Sequence, residues 1–257
     1  MTRAATVESV PEGIVSAMRA SGVWQDSCPV PIERLSLIRI RYLDFDGKEK
    51  EDGEIIALDT LAEPIATIFL RLLKERFPIK KIRPVHEYGG ADELSMADNN
   101  TSCFCFRPIA GSGKLSMHAR GAALDINPLQ NPYLSIDEEN GVLTAYPKPG
   151  WQYVNRHNKK PGMVEDIVLL LAENGFFEWG GRWTTPIDYH HFQTPRWLAE
   201  LLLALPLDDG NRVLAQAVDN RDRLVKTPNE EQLQSVKDLY RKGKSSFFDE
   251  WVNHLVT

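Results

Sequence analysis

The chain has 257 residues, of which 42% are hydrophobic and 26% are charged, enough for a folded protein with a full core. Its formal net charge of −6 provides no basic surface, so we expect no nucleic-acid partner. No apolar run approaches the length of a membrane span, and the first residues lack the uninterrupted apolar segment of a secretory signal.

The first sixty residues predict a short helix followed by a β-hairpin. The helix covers Gly13 to Ala20, and alternating apolar and polar residues from Leu35 to Phe45 predict a strand. Asp46-Gly47 favours a turn, and Gly53 to Leu58 then forms the returning strand. We expect residues 1–60 to pack on the core that follows them.

The middle of the chain predicts helices, short strands and one long loop. Apolar residues at helical spacing predict helices over Leu61 to Phe77 and Met163 to Asn174. Residues 89–101 are rich in Gly, Asp and Asn and predict a long loop. Strands are predicted at Ile79 to Tyr88, Ser102 to Arg107, Phe176 to Trp179 and His191 to Gln193.

After Pro195 the pattern becomes helical. Helices are predicted for Trp197 to Leu205, Glu230 to Arg241 and Phe247 to Leu255. We therefore predict an α+β fold in which a small, mostly antiparallel sheet carries the functional site and helices flank it. Residues 61–195 form the core, and residues 196–257 form a C-terminal helical extension. That extension packs on its own domain or, through Phe247, Phe248 and Trp251, docks a partner.

The chain contains three cysteines, so not all of them can pair within it. Cys103 and Cys105 are two residues apart, and on a strand both would point to one face. We expect buried thiols here, with zinc ligation by these two residues as the weaker alternative.

Two short motifs carry the strongest chemical signal. The first is Ser116-Met-His118-Ala-Arg-Gly121-Ala-Ala123-Leu-Asp125, and the second, further along the chain, is Asp188-Tyr-His190-His191-Phe192. Catalytic zinc commonly takes three ligands from His, Asp or Glu and leaves a fourth position for water. Asp125 lies in an otherwise apolar stretch, where burial of a carboxylate is costly without a cation or donor. The motifs therefore predict one metal site, with Asp188 as a second carboxylate able to act as a base.

His190 and His191 compete for one ligand position. Adjacent residues on a strand point to opposite faces, so only one of them is expected to face the metal. The other histidine would support the site from behind, contact the substrate or lie on the surface.

The order Ser-x-His-x-x-Gly-x-Ala-x-Asp, followed by a carboxylate three residues before a second His, resembles the zinc D-alanyl-D-alanine carboxypeptidases and their L-alanyl-D-glutamate endopeptidase relatives. That family shares its fold with lysostaphin-type peptidases and the hedgehog signalling domain. The stretches Asn99–Arg107, Asp125–Tyr133 and Trp179–Trp183 are similar to one bacterial branch of it. The similar region runs from about residue 80 to residue 193, and its motifs are specific.

The resemblance implies that His118, Asp125 and His191 bind one Zn²⁺ per chain. It also implies that Asp188 is the general base, which takes a proton from zinc-bound water and later returns it to the leaving amine. Glu178 is a fallback for that role.

Other candidates surround these residues. Arg107 is a candidate to stabilise the charge that develops on the carbonyl oxygen or to bind a substrate carboxylate, and Arg83 is its rival. Ser116 and His190 are candidate substrate contacts, and Ser116 alternatively orients a ligand. Trp179 and Trp183 wall the cleft or pack in the core. Arg182 departs from the family pattern, in which we expect an acidic residue.

The resemblance implies a zinc peptidase that hydrolyses peptidoglycan stem peptides, with D-alanyl-D-alanine carboxypeptidase activity expected first and L-alanyl-D-glutamate cleavage also open. The alternative is a non-catalytic zinc-bearing module of the same fold that binds a peptide or a protein, against which the presence of Asp188 argues. The substrate class predicts a location in the cell envelope, although the lack of a visible signal peptide leaves the cytoplasm open. The sequence predicts no oligomeric state.

Overall fold

The computed structural model describes residues 5–109, 112–137 and 140–221, together with the single positions 234 and 238. It shows the predicted α+β architecture, with several small, mostly antiparallel sheets and flanking helices. In the described part of the chain, no helix is long and apolar enough to cross a membrane. The predicted helices at residues 230–241 and 247–255, with Phe247, Phe248 and Trp251, lie outside the described residues apart from Gln234 and Asp238.

The N-terminal part forms a three-stranded antiparallel sheet with two helices. Its strands are β1 (Ala5–Ser9), β2 (Leu35–Leu43) and β3 (Glu49–Leu58), in that spatial order. Helix α1 (Glu12–Ala20) follows β1, and helix α2 (Asp59–Lys74) follows β3. The predicted hairpin and both predicted helices are confirmed, and β1 is an additional strand. The Asp44 carboxylate closes the hairpin by accepting the backbone N–H groups of Asp46 and Lys48 at 3.0 and 2.9 Å.

The region after α2 differs from the sequence prediction. The predicted strand Ile79 to Tyr88 is reduced to β4 (Lys81–Ile82), because Pro84 has no N–H for a ladder and a 3-10 turn follows it. The predicted loop at residues 89–101 contains helix α3 (Asp92–Ala97) and strand β5 (Asn100–Thr101). Strand β5 pairs in parallel with β4.

Two further predicted elements are shorter than expected. The stretch Ser102 to Arg107 makes no continuous ladder, because its N–H groups bond to carbonyl groups of separate segments, such as Ile56 for Phe104 and His118 for Cys105. The predicted helix Met163 to Asn174 is a 3-10 turn at Glu165–Ile167 followed by α4 (Val168–Ala172). The β-branched residues at this junction are poor helix formers. Cys103 and Cys105 are free and buried, as expected.

Two small antiparallel sheets carry Asp125, His191 and Asp188. The first has the order β6 (Ala123–Asp125), β11 (His191–Gln193), β9 (Glu178–Trp179), and its register sets His191 opposite Asp125. The second has the order β10 (Ile187–Asp188), β7 (Tyr133–Ile136), β8 (Leu143–Tyr146). The chain passes directly from β10 to β11, so Asp188 and His191 belong to neighbouring sheets.

Two C-terminal helices close the described fold. Helix α5 (Arg196–Ala204) confirms the predicted helix at this position, and α6 (Leu207–Asp219) follows Pro206. Arg34 ties α5 to the N-terminal part, because its guanidinium pairs with Asp59 at 2.6 Å and donates to the carbonyl oxygens of Leu202 and Leu203. The division into residues 1–60, 61–195 and 196–257 stays a prediction.

Candidate metal centre

A tight glycine turn positions His118. His118 begins a 3-10 turn that ends at Gly121, whose φ of 61° lies in the left-handed region. A Cβ on Gly121 would lie 2.5 Å from the backbone nitrogen of Leu58, so the loop passes too close to β3 for any side chain. The Ser116 hydroxyl accepts the backbone N–H of His118 at 3.2 Å. Ser116 therefore orients a candidate ligand, the alternative role that its position in the motif left open.

His118, Asp125 and His191 meet in a buried cluster. His118 Nε2 lies 3.1 Å from Asp125 Oδ2 and 3.2 Å from His191 Nδ1. His191 Nδ1 lies 3.0 Å from Asp125 Oδ1. The side chains come from the glycine turn, from β6 and from β11, and all three are buried. The residues that the sequence motifs predict as ligands are thus brought together and could hold a metal ion.

The outer hydrogen bonds of the two histidines leave both lone pairs inside this cluster. His118 Nδ1 donates to the carbonyl oxygen of Cys103 at 2.5 Å, so in the neutral ring Nε2 carries the lone pair. His191 Nε2 donates to Gln193 Oε1 at 2.9 Å, so in the neutral ring Nδ1 carries the lone pair. Two nitrogen lone pairs and a carboxylate therefore face one another, an arrangement that requires a cation or added protons.

The separations suit zinc. With bonds of about 2.0 Å, ligand atoms at the corners of a tetrahedron lie about 3.3 Å apart. The three measured separations of 3.0 to 3.2 Å are close to that value. The two histidines and one carboxylate are also a donor set that catalytic zinc sites use. The residues present therefore fit a zinc ion.

A carboxylate-supported glutamine orients His191. Gln193 donates to Glu178 Oε2 at 2.5 Å, which turns its carbonyl oxygen toward His191 Nε2. Such partners fix the ring orientation of a ligating histidine and raise its basicity. Glu178, the fallback base in the sequence analysis, is engaged in this support, and Gln193 is a residue that the sequence analysis missed.

Asp188 is a second buried carboxylate beside the cluster. Its Oδ1 lies 3.0 Å from His190 Nε2, yet this oxygen accepts no hydrogen bond from the residues that the structure describes. Burial raises the pKa of the Asp188 carboxyl above its ordinary value, although the nearby histidines oppose the shift. For Asp125, burial acts in the same direction, but His118 and His190 outweigh it and hold the pKa well below its ordinary value. The pKa values of the two neighbouring carboxyls are thus shifted in opposite directions, a pattern typical of sites in which two carboxyls have different roles.

His190 is buried and faces Asp188. Its Nδ1 donates to the carbonyl oxygen of Asn131 at 2.8 Å, and its Nε2 lies 3.8 Å from Asp125 Oδ2. Both adjacent histidines therefore reach Asp125, although only His191 belongs to the cluster. His190 lies in the turn before β11, so strand alternation does not decide where its side chain points. Asn131, which the sequence analysis also missed, accepts from the Arg156 guanidinium at 2.8 Å and is fully buried.

The two candidate arginines have different surroundings. Arg107 pairs with Asp92 at 2.7 Å. Burial lowers the pKa of Arg107, but the charges of Asp92, Asp125 and Asp188 outweigh it, so Arg107 lies within electrostatic reach of the cluster. Arg83 instead pairs with Asp52 at 2.6 Å and with Glu87 at 3.8 Å. The geometry favours Arg107 over Arg83 as a residue of this site.

The two tryptophans also differ. Trp179 stacks on Phe192 with ring centroids 6.1 Å apart and donates its indole N–H to the carbonyl oxygen of Tyr189, which favours core packing over substrate contact. The Trp183 side chain is 36% exposed, and its ring centroid lies 5.4 Å from that of His191. Trp183 is therefore the better placed of the two to wall a cleft. Its neighbour Arg182 is exposed.

Residues 110–194 match a family model described as D-alanyl-D-alanine carboxypeptidase. The match spans about one third of the chain and includes all three residues of the cluster as well as Asp188. It does not include residues 80–109, which the sequence analysis also counted as similar. No curated protein and no solved structure gave a significant match. The matched segment and the His118, Asp125, His191 cluster together fit a zinc D-alanyl-D-alanine carboxypeptidase family and support a zinc peptidase of that type.

Proposed function

We propose that this protein is a zinc peptidase that hydrolyses peptidoglycan stem peptides, acting as a D-alanyl-D-alanine-type carboxypeptidase with one Zn²⁺ per chain. The observation that carries the proposal is the convergence of His118, Asp125 and His191 beside the buried Asp188 carboxylate. The match over residues 110–194 supports the substrate class. Because peptidoglycan lies outside the cytoplasmic membrane, we propose the cell envelope as the place of action.

His118, Asp125 and His191 would hold the zinc ion. When bound, zinc lowers the pKa of a water molecule and polarises a carbonyl group. Asp188 Oδ1 accepts the proton of the attacking water and returns it to the leaving amine. The raised pKa of Asp188 suits both steps, because a weakly basic carboxylate at its ordinary pKa would take up a proton less readily.

Arg107 and Trp183 contact the substrate in this proposal. The Arg107 side chain is 31% exposed, so its guanidinium can donate to the oxygen on which charge develops or to a substrate carboxylate. Trp183 supplies an apolar wall next to His191.

Mass spectrometry of purified muropeptides after incubation with the zinc-loaded protein tests this function. We expect a defined product that shortens the stem peptide. Asp188→Asn should retain one zinc ion per chain and lower the rate about 10²- to 10⁴-fold, because it removes the base and leaves the ligands. The exposed Asp166→Asn serves as the matched control and should retain the wild-type rate.

A chain that binds zinc at one per chain and forms no product from any muropeptide would contradict the proposal. That result would favour the alternative, a non-catalytic zinc-bearing module that binds a peptide or a protein.

A further inference from the structure

A row of side chains runs from Asp188 across the second sheet. In the antiparallel register, Asp188 is paired with Tyr133, and Tyr133 is paired with Tyr146. Directly opposed residues of neighbouring strands project on the same face of a sheet. Tyr133 and Tyr146 therefore lie on the face of the sheet that carries the candidate base.

The two faces of this hairpin differ in chemistry. The face of Tyr133 and Tyr146 also carries Ser135 and Thr144, whose hydroxyl oxygens lie 2.9 Å apart. The opposite face carries apolar residues, namely Leu134 and Ala145, which are buried, and Ile136 and Leu143, which are exposed. We call the first face, made of Tyr133, Ser135, Thr144 and Tyr146, the hydroxyl face.

Tyr133 offers an unused donor next to Asp188. Its side chain is half-buried. Its hydroxyl forms no hydrogen bond with any residue that the structure describes. Burial, and then the charge of Asp188, raise the pKa of Tyr133, so the phenol stays protonated and able to donate. The Tyr146 hydroxyl, in contrast, donates to the carbonyl oxygen of Glu93 at 2.7 Å.

The far end of the row, at Tyr146, approaches the N-terminal end of α3. The charges of Glu93 and Asp92 act on Tyr146, and Asp92 holds Arg107. Arg107 in turn lies within electrostatic reach of Asp188. The row of Asp188, Tyr133 and Tyr146 is thus bordered by the cluster at one end and by the Asp92–Arg107 pair at the other.

We propose that the hydroxyl face is the platform on which the peptide substrate lies, with Tyr133 donating a hydrogen bond to it next to the bond that is cleaved. Neighbouring strands are about 4.8 Å apart, so the row from Asp188 to Tyr146 spans about 10 Å, the length of about three extended residues. The substrate class is therefore an extended peptide with about three residues on one side of the cleaved bond, and not a free dipeptide. This inference rests on the proposed function and deepens it.

Peptide length and two matched variants test the platform in the zinc-loaded protein. We expect kcat/KM to be at least tenfold higher for the pentapeptide L-Ala-γ-D-Glu-L-Lys-D-Ala-D-Ala than for the dipeptide D-Ala-D-Ala, because only the pentapeptide reaches Tyr146. Tyr133→Phe should lower kcat/KM for the pentapeptide about fivefold, which is the effect of one lost hydrogen bond. Leu143→Ala, on the opposite face of the same hairpin, is the control and should leave kcat/KM for the pentapeptide unchanged. Equal rates for the two peptides, or equal effects of the two variants, would overturn the platform.

Calorimetry on the zinc-loaded Asp188→Asn protein gives a readout that needs no turnover. We expect the pentapeptide to bind and the dipeptide to bind at least tenfold more weakly. Adding Tyr133→Phe to the Asp188→Asn protein should weaken binding of the pentapeptide about fivefold. If the wild-type protein cleaves nothing and this Tyr133-dependent binding remains, the proposed function fails and the platform stands. If the pentapeptide is cleaved and Tyr133→Phe alters neither rate nor binding, the platform fails and the proposed function stands.

Discussion

Gly180→Ala should displace the candidate base without disturbing the metal ligands. A Cβ at Gly180 would lie 2.5 Å from the backbone oxygen of Asp188 and 2.9 Å from its Cβ. Because such atoms settle at about 3.5 Å, the two segments would have to separate by about 1 Å. A misplacement of about 1 Å can cost about 10²-fold in rate, so we expect kcat on the stem peptide to fall by about that factor.

The assay is the release of D-alanine from the pentapeptide, run beside a zinc determination and a thermal melt. Zinc should stay at one per chain, because the three atoms nearest to the added Cβ all belong to Asp188 and not to a ligand. Gly13→Ala in α1, where an added Cβ meets nothing within 4 Å, is the control and should retain the wild-type kcat. An unchanged kcat in a folded, zinc-loaded Gly180→Ala protein would refute the assignment of Asp188 as the base.

Two more predictions concern the metal. In the metal-free protein, burial lowers the pKa of His191 but the Asp125 carboxylate raises it to about 9, so zinc must displace a proton below that pH. The apparent zinc affinity, measured by chelator competition, should therefore rise by up to about tenfold per pH unit from pH 6 to 8, and an affinity independent of pH would contradict this. Gln193→Leu removes the acceptor of the His191 Nε2 hydrogen bond and should weaken zinc binding about 10- to 100-fold. Gln152→Leu, at an exposed position, is the control and should retain the wild-type zinc affinity. Equal zinc affinities of the two variants would show that the hydrogen bond from His191 to Gln193 is unimportant.

The sequence predicts the site better than it predicts the elements around it. The sequence identifies the ligands His118, Asp125 and His191 because histidine and aspartate at this spacing are typical of a metal site. The sequence also signals the close passage of the loop against β3, because Gly121 has no side chain. The N-terminal hairpin is predicted well because its turn residues and the alternation of apolar and polar residues in its strands both favour a hairpin.

The supporting residues could not be found in the same way. Asn131 reaches His190 through its backbone carbonyl oxygen, a contact that no residue type signals. Gln193 reaches His191 through one side-chain hydrogen bond, and a glutamine is usually exposed. The strand predicted at residues 79–88 fails because Pro84 interrupts it, a signal that was present in the sequence and outweighed by the apolar pattern around it. The hydroxyl face depends on the β7–β8 register, which becomes visible only when the strands are paired.

The contrast between the two aspartates shows why residue type alone cannot assign their roles. Both are buried, and both lie close to histidines. Asp125 has histidine nitrogens 3.0 and 3.1 Å from its two oxygens, and these rings favour the charged carboxylate when they are protonated. Asp188 has an oxygen with no hydrogen-bond donor among the described residues, which favours the protonated form. A substitution that gave Asp188 a fixed donor would therefore lower its pKa and make it a poorer base, even with every ligand in place.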